Sequence, residues 1–258
     1  MQTTTHDDVA LSERTVIVTG AAQGLGRAVA ERLAGRTRAL LLADVAPEPL
    51  AELVEALGSA GHRVVACVAD LTQAGSVEEV VALAQRELGG ADALVNNAGI
   101  VDYAPFFETG PDMLRRLLRV DVESVYLMTQ AFAAALRDSG RGGVVVNLGT
   151  SHAIAGVAGT SAYAAAKGAV HAMTRALAVE LADLGIRVNT LALGTTLTER
   201  VRHDLPAALL EQRYRQIPLS RGAEPDEAAR AIEFLLEAGY ATGTELVLDG
   251  GFTIFGDG

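Results

Sequence analysis

A tyrosine and a lysine stand four positions apart in the segment Tyr163-Ala-Ala-Ala-Lys167. On a helix, positions i and i+4 share one face, so the phenol and the ammonium group would lie close together. The positive charge would lower the pKa of the phenol, which suits a tyrosine that exchanges a proton with a substrate. The same spacing also occurs as an ordinary pair of surface side chains on a helix. The pair is therefore interpreted together with the motifs around it.

Three glycines, Gly20, Gly24 and Gly26, stand between an apolar run and a helical pattern. Glycine permits a tight turn and lets the backbone approach a pyrophosphate, which the N-terminus of the following helix stabilises. Gln23 and Leu25 belong to the same turn and are included as cofactor-binding candidates. A P-loop is excluded because no Gly-Lys-Ser/Thr segment follows. The turn predicts a dinucleotide site; the alternative is a tight strand–helix turn without a ligand.

An acidic residue, Asp44, closes the second apolar run, roughly 20 residues after the glycine turn, as in dinucleotide-binding folds. A carboxylate there accepts hydrogen bonds from the adenosine ribose and repels a 2′-phosphate. No Lys or Arg stands between Gly20 and Gly24 to attract that phosphate. Asp44 therefore favours NAD over NADP, the alternative being a solvated acid in the loop before Pro47.

Short β-branched apolar runs alternate with longer helical patterns along the whole chain. Apolar runs with few polar interruptions are typical of strands covered on both faces, and so of a parallel sheet. The alternation predicts an α/β fold with one doubly wound, Rossmann-type domain. The predicted strands are 15–19, 39–43, 63–68, 91–96, 143–148, 187–191 and 244–248; the predicted helices are 24–35, 47–60, 74–89, 111–138, 161–184, 205–216 and 225–237.

We expect a flexible N-terminal tail over residues 1–11 and a single catalytic domain over 12–258. The least regular stretch, 195–220, lies between a late strand and a late helix, which is typical of a substrate lid. Its arginines can pair with a substrate carboxylate or phosphate, or can be solvated or lie in an interface. They are Arg200, Arg202, Arg213 and Arg215, with Arg221 at the edge.

Composition excludes several classes of function. The chain has 258 residues, half of them apolar, and a net charge of −11, which argues against nucleic acid and anionic membrane surfaces as partners. Its five histidines and single cysteine show no metal-ligand spacing. No signal peptide or run of about 18 apolar residues is visible. We therefore expect no metal. The lone Cys67 fits a reducing compartment, so we expect a cytoplasmic protein; a cysteine-poor secreted protein is the alternative.

Taken together, the motifs resemble the short-chain dehydrogenase/reductase family. The resemblance covers about residues 12–255 and extends beyond the glycine turn and the Tyr–Lys pair. Its further motifs are Asn96-Asn97-Ala98-Gly99, Asp70-Leu71, Ile186-Arg187-Val188-Asn189 and Asp249-Gly250-Gly251. The resemblance implies a seven-stranded parallel sheet flanked by helices, and a homotetramer or homodimer built through the helices near 111–138 and 161–184.

The resemblance also implies roles for individual residues. Tyr163 would be the general acid/base, and Lys167 would bind the nicotinamide ribose and lower the pKa of Tyr163. The remaining cofactor contacts would come from the phosphate turn (Gly20, Gly24, Gly26), the ribose acid Asp44, the adenine neighbours Asp70 and Leu71, the fourth-strand residues Asn97, Ala98 and Gly99, and the nicotinamide cover Gly194, Thr196 and Thr198.

Three positions depart from the family pattern. Thr150, with Ser151 next to it, stands where the family usually has its catalytic serine; a threonine keeps the hydroxyl, and we favour Thr150. Asp121 stands where the family has an asparagine, either as a structural carboxylate or as part of a proton relay behind Lys167. It falls on a predicted apolar stripe formed by Leu114, Leu118, Val125, Met128 and Phe132. Leu193-Gly194 replaces Pro-Gly, which removes a restraint on the lid.

Tyr103 and His152 are candidate substrate contacts together with Thr150 and Ser151, although His152 could equally cap or pack a turn. The sequence thus predicts hydride transfer between NAD and a secondary alcohol, giving the ketone. The substrate class includes sugars, polyols, cyclic diols and hydroxy acids. The alternatives are a redox-neutral epimerase or dehydratase on the same scaffold, and an NAD-sensing or scaffold protein without catalysis.

Overall fold

A parallel sheet of seven strands lies at the centre of the computed structural model, which describes residues 9–255. The strand order is β3-β2-β1-β4-β5-β6-β7, so the predicted α/β doubly wound fold is confirmed. The strands are β1 (Thr15–Thr19), β2 (Ala39–Asp44), β3 (Val64–Val68), β4 (Ala93–Asn96), β5 (Gly143–Thr150), β6 (Ile186–Leu193) and β7 (Glu245–Leu248). The two halves of the sheet meet where β1 lies beside β4, because the chain returns from β3 at the edge to β4 at the centre. Such folds form a ligand crevice at this point.

Helices cover both faces of the sheet. They are α1 (Gly24–Leu33), α2 (Pro47–Ser59), α3 (Ser76–Leu88), α4 (Pro111–Leu118), α5 (Ser124–Ser139), α6 (Ser161–Glu180), α7 (Glu199–Asp204), α8 (Ala207–Tyr214) and α9 (Pro225–Glu237). Strands β1, β4 and β5 are buried along their whole length, which explains their mainly apolar sequences. One apolar cluster packs α1, α2 and α9 on one face, and a second packs α3 and α5 on the other.

The predicted helix over 111–138 is interrupted by a π-helical turn at Arg119–Glu123. The extra residue of a π turn rotates the preceding helix relative to an α-helical extrapolation. The predicted stripe is therefore wrong in α4: Leu114 and Leu118 are 37% and 40% exposed, and Leu117 is buried instead. Asp121 lies in this turn, and its side chain is fully buried.

The lid region holds two short helices where the sequence predicted one over 205–216. Leu205 is extended because it precedes Pro206, and this separates α7 from α8. The Thr198 side chain caps the N-terminus of α7 by accepting a hydrogen bond from the Val201 amide at 3.4 Å.

The first eight residues of the predicted tail lie outside the described residues. Leu11, at the predicted end of the tail, is only 8% exposed and packs into the apolar core. Among the helices within residues 9–255, none has the length and apolar character needed to cross a membrane.

Candidate active site

The glycine turn links the end of β1 to the start of α1. Gly20 and Gly24 have φ values of +63° and +56°, which glycine adopts without strain. A Cβ atom at Gly26 would lie 2.0 Å from the carbonyl oxygen of Gly20, so only glycine lets α1 pack this closely. The helix therefore begins directly above the turn, with its N-terminal amides beside it.

Residues from the end of β4 hold this turn in place. The Asn97 side-chain amide donates to the carbonyl oxygens of Thr19 (3.0 Å) and Gly20 (2.8 Å). The Thr19 hydroxyl in turn accepts from the backbone amides of Asn97 (3.1 Å) and Ala98 (3.0 Å). Thr19 was not predicted as a site residue; its place immediately before Gly20 was the available signal.

Asp44 lies at the end of β2 beside the glycine turn. One carboxylate oxygen accepts from the Ala22 amide (2.9 Å) and the other from the Ala46 amide (3.0 Å). Each oxygen retains a free lone pair that a ribose hydroxyl can use.

Asp70 and Leu71 lie beyond the end of β3, away from the residues that line the main cavity. Asp70 is exposed, and its carboxylate accepts from the Thr72 amide (3.0 Å) and hydroxyl (2.7 Å). Hydrogen bonds from Thr72 and Gln73 lower the pKa of Asp70. The position of Asp70 and Leu71 beside the adenine stays a prediction.

A cavity of about 400 Å³ opens at the carboxyl ends of β4, β5 and β6. It is lined by three of the four predicted substrate contacts, Tyr103, Thr150 and His152. The predicted residues that line it also include Leu25, Asn97, Gly99, Asp121, Tyr163, Lys167, Gly194, Thr196 and Thr198. A smaller cavity of about 100 Å³ adjoins it, and Ser151 lines only this one.

Thr150 and Tyr163 form the centre of the main cavity. Thr150 ends β5, and Tyr163 lies in the first turn of α6. The Thr150 hydroxyl accepts from the His152 amide at 3.3 Å and donates to the Leu193 carbonyl oxygen at 3.4 Å. The buried Ser151 hydroxyl has no hydrogen-bond partner within the described part of the chain. Burial raises the pKa of Tyr163, the charge of Asp121 raises it further, and the Thr150 hydrogen bond opposes both.

The Lys167 ammonium group is directed at Asp121 and at the end of β5. It donates to the Leu148 carbonyl oxygen at 3.1 Å and lies 3.3 Å from Oδ1 of Asp121. Burial is the largest cause of the raised pKa of Tyr163 and the charge of Asp121 is the next, so the predicted lowering of this pKa by Lys167 stays a prediction.

Asp121 is fully buried and only partly satisfied. Its Oδ1 accepts from the Ile100 amide at 3.1 Å, whereas its Oδ2 has no hydrogen-bond partner among residues 9–255. Burial raises the pKa of Asp121, although the Lys167 charge and the Ile100 hydrogen bond oppose the shift. The site thus holds a second group able to carry a proton behind Tyr163.

His171, which the sequence analysis missed, supports Thr150 from behind. Its Nε2 accepts a hydrogen bond from the Thr150 amide at 3.2 Å, and its Nδ1 lies 3.0 Å from Oε2 of Glu245 in β7. Burial lowers the pKa of His171. The accepting Nε2 requires the neutral ring, with its proton on Nδ1 facing Glu245. The available signal was its place one helical turn after Lys167.

Buried amide and hydroxyl groups fasten the strands to α5 and α6. The Asn96 side chain donates to Asn147 (2.8 Å) and to Thr129 in α5 (2.9 Å). The Asn147 side chain donates to Thr174 in α6 at 2.9 Å. This chain fixes α6, and with it Tyr163 and Lys167, relative to the ends of β4 and β5.

Aromatic rings form the substrate side of the cavity. The Tyr103 and His152 rings lie 5.6 Å and 6.4 Å from the Tyr163 ring. Burial raises the pKa of Tyr103 to about 12 and lowers the pKa of His152. Both rings are therefore neutral near pH 7. Within residues 9–255, no cluster of His, Cys, Asp and Glu could hold a metal ion.

Comparisons with known proteins agree with this geometry. Residues 20–253 match the profile of a family described as "Enoyl-(Acyl carrier protein) reductase". The chain is 38% identical to a cis-4-hydroxycyclohexanecarboxylate dehydrogenase of Sinomonas cyclohexanicum, over 95% of this chain and 98% of that protein. It is 32% identical to an L-rhamnose 1-dehydrogenase (NAD(P)(+)) of Azotobacter vinelandii, over 95% of this chain and 98% of that one.

A solved structure shows the same fold. The crystal structure of a short-chain type dehydrogenase/reductase from Mycobacterium marinum superposes with a TM-score of 0.89 at 31% identity, covering 96% of this chain and 98% of that one. Family profile, relatives and structure all extend over the glycine turn, the Tyr–Lys helix and the lid. The chain therefore belongs to the short-chain dehydrogenase/reductase family and is an oxidoreductase.

Proposed function

We propose that this protein is an NAD-dependent dehydrogenase that oxidises a secondary alcohol to the ketone. The observation that carries the proposal is the position of Thr150, Tyr163 and Lys167 in the lining of one cavity at the carboxyl ends of β4, β5 and β6. Two adjacent hydroxyl groups can bind one substrate oxygen and move its proton.

The glycine turn and Asp44 fit a dinucleotide. The turn leaves no room for a Cβ at Gly26 and lies at the N-terminus of α1, where a pyrophosphate is stabilised. The Asp44 carboxylate lies where it would accept from ribose hydroxyls and repel a 2′-phosphate, which supports NAD rather than NADP. The nicotinamide end would be enclosed by Asn97 and Gly99, which follow β4, and by Gly194, Thr196 and Thr198, which follow β6.

In this mechanism Thr150 and Tyr163 bind the substrate hydroxyl oxygen. Tyr163 takes the hydroxyl proton as the C–H bond breaks, and bound NAD would supply the acceptor for the hydride. Because burial and Asp121 raise the pKa of Tyr163, oxidation should accelerate as the pH rises, whereas ketone reduction uses the protonated phenol. Lys167 would hold the nicotinamide ribose, and Asp121 would accept or return protons behind it.

The substrate class is supported by the relatives, one of which is named for a cyclic hydroxy acid and another for a sugar. Tyr103 and His152 would bind the substrate beside Thr150. The catalytic domain would comprise residues 12–258, with 195–220 as the substrate lid. A redox-neutral reaction would use the same groups but release no NADH, and a sensor would bind NADH without turnover.

We also propose that the protein works in the cytoplasm as a homodimer or homotetramer. The support is a set of exposed apolar side chains on and before the α4–α5 segment, the surface that the family resemblance implies. Phe107 is 98% exposed, and Leu118, Tyr126 and Leu127 are 40%, 46% and 37% exposed. Such side chains are typical of an interface between subunits.

The test is NADH formation from NAD across a panel of sugars, polyols, cyclic diols and hydroxy acids, repeated with NADP. Turnover of at least one secondary alcohol with preference for NAD supports the proposal. Binding of NADH without turnover of any alcohol would contradict it and favour the sensor. Conversion of a substrate with no net NADH would favour the redox-neutral enzyme.

A further inference from the structure

An arginine without a counter-ion lines the substrate end of the cavity. Arg213 lies in the last turn of α8, is half-buried and lines both the main cavity and the smaller one. Its guanidinium group has no hydrogen bond or ion pair with any residue in the 9–255 range. The other cations that line the main cavity are matched, since Lys167 lies beside Asp121 and Arg200 pairs with Asp204 at 3.3 Å.

The position of Arg213 is that of a substrate contact. The smaller cavity that it lines contains Tyr103, His152 and Phe252 but no residue of the glycine turn and not Asp44. Its charge opposes the rise in the pKa of Tyr103 and lowers the pKa of His152, so it lies near both rings. Both rings contact Tyr163, so a single ring separates the cation from the reacting phenol.

A guanidinium group partly removed from water gains most from an anion, because its lost hydration is replaced by charge-assisted hydrogen bonds. His152 and Tyr103 are neutral and cannot supply that charge. The guanidinium fork matches the two oxygens of a carboxylate. The protein has a net charge of −11, so a local cation is needed to hold an anionic substrate.

We propose, on the basis of the dehydrogenase function above, that the substrate is a hydroxy acid whose carboxylate binds Arg213 while its hydroxyl lies between Thr150 and Tyr163. The smaller cavity of about 100 Å³ has room for a carboxylate group beside Tyr103 and His152, the rings that lie next to Tyr163. Ile100, Val101 and Leu205 line the main cavity and favour a hydrocarbon body between the two groups.

The experiment compares each hydroxy acid with its own primary amide and methyl ester as substrates of the wild type and of Arg213→Gln, Arg213→Lys and Arg215→Gln. Arg215 is exposed and lines neither cavity, so it is the matched control. We expect the wild type to prefer the acid, with a higher kcat/KM than for the amide or the ester. In Arg213→Gln, kcat/KM for the acid should fall about 10- to 100-fold, mainly through KM, with the amide changed less than about twofold. Arg213→Lys should restore part of the loss.

Turnover of the amide shows that each variant is folded. Equal losses for acid and amide in Arg213→Gln, or a wild type that prefers the neutral substrates, would overturn the proposal and leave the dehydrogenase function intact. Binding of cyclohexanecarboxylate and of its amide to the NADH complex is measured by NADH fluorescence. Arg213-dependent binding of the carboxylate alone, without oxidation of any alcohol, would support the anion site and overturn the dehydrogenase function instead.

Discussion

The catalytic frame and the lid, which face each other across the same cavity, are held by different forces. The frame comprises the glycine turn, Asp44 and the four residues Asp121, Thr150, Tyr163 and Lys167; these last four are at most 7% exposed. Hydrogen bonds between distant strands and helices fix them. Helices α7 and α8 of the lid, in contrast, contain no buried residue.

Surface ion pairs are the main polar contacts of the lid, such as Arg202 with Glu224 at 2.6 Å. Exposed pairs of this kind contribute little to stability and are screened by salt. From this difference we expect a division of labour, in which the frame would set the reaction and the lid would select the substrate. Changes in the frame should therefore alter rate, pH dependence or cofactor choice, whereas changes in the lid should alter KM for particular substrates.

The largest effect on stability in the frame is expected for Lys167→Met. The change leaves the Asp121 carboxylate buried without its partner, which typically destabilises a protein by about 3–5 kcal/mol. We expect a lower Tm by calorimetry and a kcat reduced about 100-fold or more. The double variant Lys167→Met/Asp121→Asn should regain most of the Tm but not the rate. Recovery of both would contradict a catalytic role of the lysine.

Asp44→Asn tests the cofactor end of the frame. The asparagine oxygen can still accept one backbone hydrogen bond, but the charge that would repel a 2′-phosphate is gone. The ratio of kcat/KM for NADP to that for NAD should rise about 10- to 100-fold. Steady-state kinetics with both cofactors measures it, and an unchanged ratio would exclude Asp44 as the selecting group.

His171 tests whether Thr150 depends on support from behind. His171→Leu removes the acceptor of the Thr150 amide, whereas a glutamine can accept there and donate to Glu245. We expect kcat to fall about tenfold in His171→Leu and to recover in His171→Gln. Because burial lowers the pKa of His171, acid inactivation by protonation of this ring should begin below pH 6.5 and be absent in His171→Gln. Equal rates in both variants would show that the ring only fills space.

A smaller effect, seen in the pH profile, is expected for Asp121→Asn. Removing the carboxylate removes one cause of the raised pKa of Tyr163, so oxidation should accelerate at lower pH than in the wild type. The pH dependence of kcat/KM for alcohol oxidation measures this shift. Superimposable profiles would leave Asp121 with a structural role only.

Sequence reasoning succeeded where local pattern and geometry coincide. The strands have mainly apolar sequences with few polar interruptions, so all seven were found with ends within about two residues of the observed ones. Thr150 was favoured over Ser151; Thr150 lines the main cavity with Tyr163 whereas Ser151 does not, and the catalytic role of Thr150 stays a prediction. The proton relay suggested for Asp121 required it to lie behind Lys167, and the structure brings the two side chains to 3.3 Å. The hydrogen bond from Lys167 to the Leu148 carbonyl oxygen could not be predicted, because it depends on how α6 packs on β5.

Other features depended on contacts that a single sequence does not reveal. The π-helical turn at Arg119–Glu123 shifts the buried face by one residue, and α-helical periodicity alone could not anticipate it. His171 and Glu245 meet only after α6 packs across β6 and β7. Arg213 was one of several lid arginines in the sequence, and only the cavity distinguishes it from the others.

The most direct measurement of the central claim is the rate of NADH formation by the wild type and by Tyr163→Phe, with NADH binding measured on both proteins. We expect that the wild type turns over a secondary alcohol, and that the variant loses at least about 1,000-fold in kcat while binding NADH equally well. A variant that keeps its rate would contradict Tyr163 as the acid/base and, with it, the mechanism proposed for this site.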